Sequence, residues 1–244
     1  MIAPRDVLRD LVIANRVLGN ENVVDAYGHV SLRNPAAPDR FFLSCSLAPA
    51  FVGFDDILEF TLDGRVVGDD SRPPYLERFI HGAIYEARPD VNAVIHAHAE
   101  DTLPFGISQT PLVPVIHSGA FIGAEVPVWD VATSFGNATN LLVTSVEQGR
   151  DLARCLAGNN VVLMRGHGFA AAAPTIIDVV RMAIYLPRNA RVQLEALRLG
   201  DVKPLSAGEI AARTGGSGYR PESPETQRAW RYWAQRAGCA DLLS

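Results

Sequence analysis

The sequence contains little cysteine: three residues in a chain of 244, odd in number and far apart, at positions 45, 155 and 239. That usage argues against a disulfide framework. The chain also lacks any apolar run long enough to span a bilayer. Its N-terminal stretch, residues 1–19, alternates charged with apolar side chains and lacks the uninterrupted apolar core of a signal peptide. We therefore expect a cytoplasmic protein without a membrane partner.

Positive charge is also scarce, because Lys and Arg together number 22 against 27 Asp and Glu, and the formal net charge is −5. Without a basic surface or a block of like charges, neither nucleic acid nor an anionic membrane is an expected partner. No repeat or low-complexity tract divides the chain, so we expect a single domain over residues 1–244. Within it, residues 215–244 are expected to form a loop and a helix at a subunit interface.

Segments of helical and strand periodicity alternate along the chain, which predicts an α/β domain with a mixed or largely antiparallel sheet. The predicted elements, in chain order, are a helix ending at Gly19-Asn20, strands over 26–33 and 40–44, a hairpin over 57–68, a helix opened by Pro73-Pro74, a strand over 91–100, a helix capped by Ser145, a strand over 160–173 interrupted by Gly-His-Gly, a helix over 175–200 kinked near Pro187, a mobile loop over 214–226 and a C-terminal helix.

The stretch VNAVIHAHAE, residues 91–100, has the composition of a buried strand and yet carries His96 and His98. Residues two apart on a strand point to the same face, so both imidazoles are expected to enter one space. Glu77 and His81, four apart on the preceding predicted helix, share a helical face. A later histidine, His167, lies between two glycines that leave room around its ring.

Three neutral imidazoles and a carboxylate would suit one divalent ion per chain, such as Zn²⁺, Mn²⁺ or Co²⁺, with coordination positions left for a substrate. A different interpretation stays open at this point. An H-x-H pair on a strand can also be incidental, with its ring nitrogens bonded to backbone or water. Spacing along the sequence does not by itself bring His167 near the pair.

Three segments, AYGHVSLR, YLERFIHGAIYEARPDVNAVIHAHA and VLMRGHG, resemble the class II aldolase/adducin family in order and spacing. The resemblance implies a three-layer α/β/α fold with a central, mainly antiparallel sheet. It also implies a divalent metal and a homo-oligomer, commonly a tetramer, with sites between subunits. The metal ligands implied by the resemblance are His96, His98, His167 and Glu77.

Departures from the family's sugar-phosphate aldolases concern the residues that cradle a phosphate. His29 stands where those enzymes have an asparagine, Pro74-Tyr75 replace a serine pair ahead of Glu77, and Ser118 replaces a tyrosine. Few N–H and O–H donors remain for a phosphate, so a phosphorylated sugar is disfavoured as substrate, and so is a thiosugar-phosphate dehydratase.

The sequence more closely resembles the decarboxylase branch, which implies a metal-dependent lyase acting on a hydroxylated aromatic dicarboxylate of the dihydroxyphthalate or hydroxypyridine-dicarboxylate type. In decarboxylation and in aldol cleavage a C–C bond breaks, and the fragment lost is CO₂ or a carbonyl compound. An aldolase acting on an unphosphorylated hydroxy-keto acid is therefore the alternative. An adducin-like interaction module is a third hypothesis, disfavoured because this chain keeps all three histidines.

Roles for individual side chains follow from this reaction. The proton that replaces CO₂ could come from Glu77, His29 or His81, groups whose pKa values proteins adjust readily. His29 and His81 also have structural interpretations, as a turn residue and as a group that orients Glu77. The substrate carboxylates are predicted to bind Arg33 and Arg72, with Tyr232 as a minor contact from the C-terminal helix.

Overall fold

The computed structural model describes residues 5–215, 220 and 222–243. Its longer helices and its strands place the candidate site at the centre of one sheet. In chain order the elements are α1 (Arg5–Asn20), β1 (His29–Arg33), β2 (Arg40–Ser44), β3 (Ile57–Thr61), α2 (Arg78–Ala87), β4 (Ala93–Ala97), α3 (Leu103–Ile107), β5 (Val128–Trp129), α4 (Val131–Phe135), α5 (Val146–Leu156), β6 (Val161–Met164), β7 (Gly168–Ala173), α6 (Ile176–Leu199), α7 (Ala207–Thr214) and α8 (Pro224–Arg236), with short 3₁₀ turns between them.

The seven strands form one sheet in the order β3-β2-β1-β4-β7-β6-β5. All neighbours pair antiparallel except β5 and β6, which are parallel. Helices α1, α6 and α8 contribute apolar side chains to a core on one face, and α2 and α5 contribute to a core on the other. The predicted three-layer α/β/α fold with a mainly antiparallel sheet is therefore confirmed.

The central strand β4 shows the predicted alternation. Ile95 and Ala97 lie in the core beneath α1 and α6, whereas Val94 lies in the core beneath α2 and α5. His96 has the same parity as Val94 and therefore projects from the α2 side of the sheet. His98 follows directly after the last residue of the strand.

The helix predicted to open at Pro73-Pro74 begins instead at Arg78, and this part of the prediction was wrong. Pro74 makes an isolated antiparallel bridge with Cys45, and the Pro73 carbonyl accepts from Ser46 N. A residue that precedes proline avoids the helical region of backbone conformation. Pro73 precedes Pro74, so Pro73 favours an extended backbone. Glu77 consequently occupies the N-cap position of α2 and not its interior.

The predicted hairpin around Asp63-Gly64 forms, with the Gly64 N–H donating to the Thr61 carbonyl. Its return arm is a single bridge between Phe60 and Val66 and not a second strand. Helix α6 continues through Pro187, where a kink was predicted. Helix α7 was not predicted, and α8 begins at Pro224, inside the loop predicted over 214–226, so that end of the loop prediction was wrong. Residues 216–219 and 221 of the predicted loop lie outside the described part of the chain.

The C-terminal helix α8 buries two large aromatic side chains. Trp230 and Trp233 are buried in the core with α1 and α6, whereas Tyr232 is 55% exposed. Both tryptophans therefore pack within the chain, and the subunit contact expected of residues 215–244 stays a prediction. No helix within the described ranges has both the length and the apolar character needed to cross a membrane.

Candidate metal centre

Four side chains converge at the end of β4. The Nε2 atom of His98 lies 2.9 Å from that of His96 and 3.1 Å from that of His167. The Oε2 atom of Glu77 lies 3.4 Å from His96 Nε2 and 3.5 Å from His167 Nε2. All four ligand atoms lie within 4.8 Å of one another, so this cluster could hold a metal ion.

The spacing of these atoms fits a shared ion. Two ligand nitrogens at right angles, each about 2.1 Å from one ion, are about 3.0 Å apart, which is close to both His–His distances. Three lone-pair nitrogens facing one another at this range repel unless a proton or a cation lies between them. Borderline divalent ions prefer this set of imidazoles and one carboxylate. The donor chemistry and the geometry therefore agree.

Backbone groups orient two of the ligands. His96 Nδ1 lies 3.0 Å from the Phe169 carbonyl, which can only accept, so Nδ1 carries the proton and Nε2 presents its lone pair to the cluster. Glu77 Oε1 accepts from Val143 N at 3.0 Å, which directs Oε2 toward the histidines. In both side chains, the polar atom that does not face the cluster is hydrogen-bonded to the main chain, and this bond fixes the orientation of the ligand atom.

Close backbone approach brings the third histidine into place. His167 occupies the turn between β6 and β7, where its N–H donates to the Met164 carbonyl. A Cβ on Gly168 would lie 2.2 Å from the Ala97 carbonyl oxygen, so only glycine lets β7 begin this close to the end of β4. The predicted convergence of His167 with the H-x-H pair depends on this contact.

The cluster favours an ionised carboxylate among neutral imidazoles. Burial opposes ionisation of Glu77, but the nearby His96 and His167 and the Val143 N–H outweigh it and lower the pKa of the carboxyl to about 2. Burial, reinforced by its histidine neighbours, lowers the pKa of His98 to about 4 and also lowers the pKa of His167. Neutral nitrogens and an ionised carboxylate are the forms that bind a metal.

A second histidine pair lies against the cluster. His29 is the cross-strand partner of His96, and their ring centroids are 5.3 Å apart. His29 Nδ1 contacts His81 Nε2 at 2.7 Å, and His81 Nδ1 contacts Ser31 Oγ at 2.6 Å. Burial lowers the pKa of His81 to about 3, so this ring is neutral at physiological pH. The structure thus links both predicted proton carriers, His29 and His81, to each other.

The lowered imidazole pKa predicts that the metal-free protein loses stability as the pH falls. The unfolded chain takes up a proton at His81 near pH 6.5 whereas the folded chain does not until about pH 3, so acid favours unfolding over that window. This one group contributes a slope of about 1.4 kcal/mol per pH unit. Urea unfolding between pH 6.5 and 4 should show a shallower pH dependence for His81→Asn than for wild type; equal slopes would contradict the assignment.

The predicted carboxylate-binding role of Arg33 was wrong. Its guanidinium is buried and donates to the main-chain carbonyls of Val91, Pro38, Tyr85 and Arg88 at 2.6–2.9 Å. Because these bonds use its guanidinium nitrogens, Arg33 stabilises the fold and does not bind a ligand.

The other two predicted substrate contacts lie in different surroundings. Arg72 pairs with Asp70, and its role toward substrate stays a prediction. Tyr232 lines a cavity of about 840 Å³ with His117 and Trp233, and none of the four cluster residues lines that cavity. Within one chain it therefore does not contribute to the cluster, and its contact with a neighbouring chain's site stays a prediction.

A cavity of about 870 Å³ reaches His98 and is also lined by Arg188 and Arg191 of α6. Both arginines are ion-paired, with Glu21 and Asp101 respectively. These two cations could not be predicted, because nothing in the sequence indicates which face of α6 lies beside β4.

Comparison with known proteins agrees with this architecture. The family model described as Class II Aldolase and Adducin N-terminal domain matches residues 9–194. The chain is 34% identical to Decarboxylase tropJ of Talaromyces stipitatus, over 97% of this chain and 96% of that protein. It is 26% identical to the 3,4-dihydroxyphthalate decarboxylase of Arthrobacter keyseri, over 94% of this chain and 93% of that protein.

Solved structures agree on the fold. The aldolase II superfamily protein from Pseudomonas syringae superposes with a TM-score of 0.78 over 99% of this chain and 96% of its own, at 20% sequence identity. At that identity the likeness concerns the fold alone. The resemblance first indicated by the three sequence segments is confirmed by these matches.

Proposed function

The chain belongs to the class II aldolase and adducin family, and on that premise we propose that it is a divalent-metal-dependent decarboxylase of a hydroxylated aromatic dicarboxylate. The observation that carries the proposal is the convergence of three imidazole nitrogens and one carboxylate oxygen. The names of two relatives, a decarboxylase and a 3,4-dihydroxyphthalate decarboxylase, support the reaction and the substrate class.

One ion per chain would be held by His96, His98, His167 and Glu77, and Zn²⁺, Mn²⁺ and Co²⁺ suit these donors. When bound, a divalent ion supplies a Lewis acid that stabilises negative charge developing on a substrate oxygen. The protein's own part is to fix the direction of two ligand atoms, that of His96 through the Phe169 carbonyl and that of Glu77 through the Val143 N–H. Such preorganisation limits the reorganisation needed during the reaction.

Decarboxylation breaks the bond between the ring carbon and its carboxyl group, and a proton must then reach that carbon. The candidates are Glu77, which is in the cluster, and His29, which is paired with His96 in the sheet. Because the Glu77 carboxyl is ionised, it would first take up a proton, such as that of the substrate hydroxyl, and then deliver it to the ring carbon. A group that shuttles the proton typically contributes 10²- to 10⁴-fold to the rate. His81 contacts His29 and so acts through it.

The wall beside the cluster is consistent with an unphosphorylated substrate. The Tyr75 ring lies 4.5 Å from the His29 ring, centroid to centroid, and the Tyr75 hydroxyl donates to the Leu47 carbonyl. An aromatic side chain therefore occupies space that hydroxyl donors for a phosphate would need. An aromatic substrate ring packs favourably against such a wall.

We also propose a homo-oligomer, a tetramer being the family's common form, with the site near a subunit interface. Three large apolar side chains around the site are mostly solvent-exposed in one chain: Tyr27 at 69%, Phe51 at 74% and Leu76 at 62%. Phe51 lines the same cavity as His98, and Leu76 adjoins Glu77. Exposed apolar groups of this size are typical of surfaces that a partner covers.

The substrate class is tested by incubating the metal-loaded protein with 3,4-dihydroxyphthalate and 3-hydroxy-2-methylpyridine-4,5-dicarboxylate in parallel. We expect CO₂ evolution from at least one of them and none after chelation of the metal. A hydroxy-keto acid serves as the third arm. Release of an aldehyde or pyruvate from that compound, with no CO₂ from either arene, would support the aldolase alternative and refute the decarboxylase.

A further inference from the structure

A buried chain of hydrogen bonds leads from His29 through His81 and Ser31 to Tyr85. His29 Nδ1 contacts His81 Nε2 at 2.7 Å, His81 Nδ1 contacts Ser31 Oγ at 2.6 Å, and Ser31 Oγ contacts the Tyr85 hydroxyl at 2.7 Å. Ser31 and His81 are fully buried and Tyr85 is 1% exposed. Each proton in this chain must therefore find its acceptor within the protein.

The direction of the chain is set at Tyr85. Its hydroxyl has Ser31 Oγ at 2.7 Å and the Asn92 carbonyl at 3.4 Å, and only the first is within the ordinary length for an O–H···O bond. Tyr85 therefore donates to Ser31.

The remaining directions follow in turn. Ser31 cannot donate back to Tyr85, and its other carbonyl acceptor, Val94 O, is 3.5 Å away, so its hydrogen goes to His81 Nδ1 at 2.6 Å. A neutral His81 then carries its own proton on Nε2 and donates to His29 Nδ1. A neutral His29, accepting at Nδ1, carries its proton on Nε2.

We propose that Ser31 and Tyr85 are positioning residues that fix the tautomers of His81 and His29, so that His29 offers Nε2–H to an anionic oxygen of the substrate. The opposite direction would present a bare lone pair, which repels a carboxylate or phenolate. The part of this inference that concerns substrate rests on the proposed function; the tautomers do not.

Arg33 stabilises the far end of this chain. Its Nη2 donates to the Tyr85 carbonyl at 2.8 Å, and its guanidinium carbon lies 4.7 Å from the centroid of the Tyr85 ring. The ring is therefore held from its backbone and from its face. This contact gives Arg33 a supporting role in place of the substrate contact predicted from the sequence.

The test is two-bond ¹H–¹⁵N correlation spectroscopy on the Zn²⁺-loaded full chain with ¹⁵N-labelled histidine, which identifies the protonated nitrogen of each ring. His81→Asn and His29→Asn variants supply the assignments. We expect protonated Nε2 on both His81 and His29 in wild type, and protonated Nδ1 on a substantial fraction of His81 in Ser31→Ala and Tyr85→Phe. Tyr185→Phe, which removes another partly buried hydroxyl, should leave both rings unchanged.

Phthalate, an unreactive dicarboxylate, reports the consequence for binding by calorimetry. We expect Ser31→Ala and Tyr85→Phe to weaken its binding about 10-fold or more, since a hydrogen bond to a charged group is lost, while Tyr185→Phe binds like wild type. Wild-type His81 protonated at Nδ1 overturns the inference whatever the variants do. Unchanged His81 tautomers in both variants overturn the roles of Ser31 and Tyr85. Absence of CO₂ release from the arenes, with these tautomers observed, refutes the proposed reaction alone.

Discussion

Replacing His98 by alanine is expected to remove the divalent metal and to lower turnover by at least about 10³-fold, because several kcal/mol of charge stabilisation would go with the ion. His98 Nε2 is the atom shared by the two shortest contacts in the cluster, at 2.9 Å to His96 and 3.1 Å to His167. The side chain is only partly buried and follows the end of β4, so its truncation should leave the fold intact. Metal content by elemental analysis and initial rates measure the effect.

His117→Ala is the matched control for metal content. This histidine is exposed and is not one of the four residues in the cluster. The control variant should retain the metal at the wild-type ratio. A His98→Ala protein that keeps both its metal and its turnover would exclude His98 as a ligand.

Replacing Glu77 by glutamine is expected to keep the fold and to reduce turnover by about 10²-fold or more, if this carboxylate carries the proton. A glutamine Oε1 can still accept from Val143 N, which lies 3.0 Å from the present carboxylate oxygen. The substitution removes the negative charge that lies 3.4 Å from His96 Nε2. Turnover at saturating metal separates loss of proton transfer from weaker metal binding, and circular dichroism checks the fold.

Glu86→Gln provides the comparison on the same helix. Glu86 is exposed and pairs with Arg150, so its loss should leave turnover at the wild-type rate. If Glu77→Gln also turns over at that rate with saturating metal, the carboxylate plays no part in moving the proton.

The sequence was most informative where periodicity and burial agree. The two-residue spacing of His96 and His98 predicted that both rings enter one space, and their Nε2 atoms are 2.9 Å apart. His167 is 69 residues further along, and only the family resemblance indicated that it joins them. The reason became visible in the fold, where Gly168 lets the β6–β7 turn approach the end of β4.

The position of Glu77 was predicted correctly for the wrong local reason. The apolar spacing predicted that it lies in a helix opened by Pro73-Pro74, and the structure places it at the N-cap of α2. Apolar spacing from Leu76 onward suits a helix, but it does not identify the first helical residue, which the bridge between Pro74 and Cys45 decides. Boundaries set by tertiary pairing are not contained in local periodicity.

Side chains that act through long-range contacts could not be predicted. Ser31 and Tyr85 are 54 residues apart, and neither belongs to a motif. Arg33 looked like a carboxylate ligand because a sequence does not show which carbonyls a guanidinium will meet. Its partners, such as Tyr85 and Val91, lie more than 50 positions away.

The metal content of wild-type protein purified without chelator decides whether the four converging side chains hold an ion. We expect close to one divalent ion per chain by elemental analysis, with CO₂ release lost on EDTA treatment and restored by adding the ion back. A preparation that is metal-free, unaffected by EDTA and still active would show that Glu77, His96, His98 and His167 do not form a catalytic metal site.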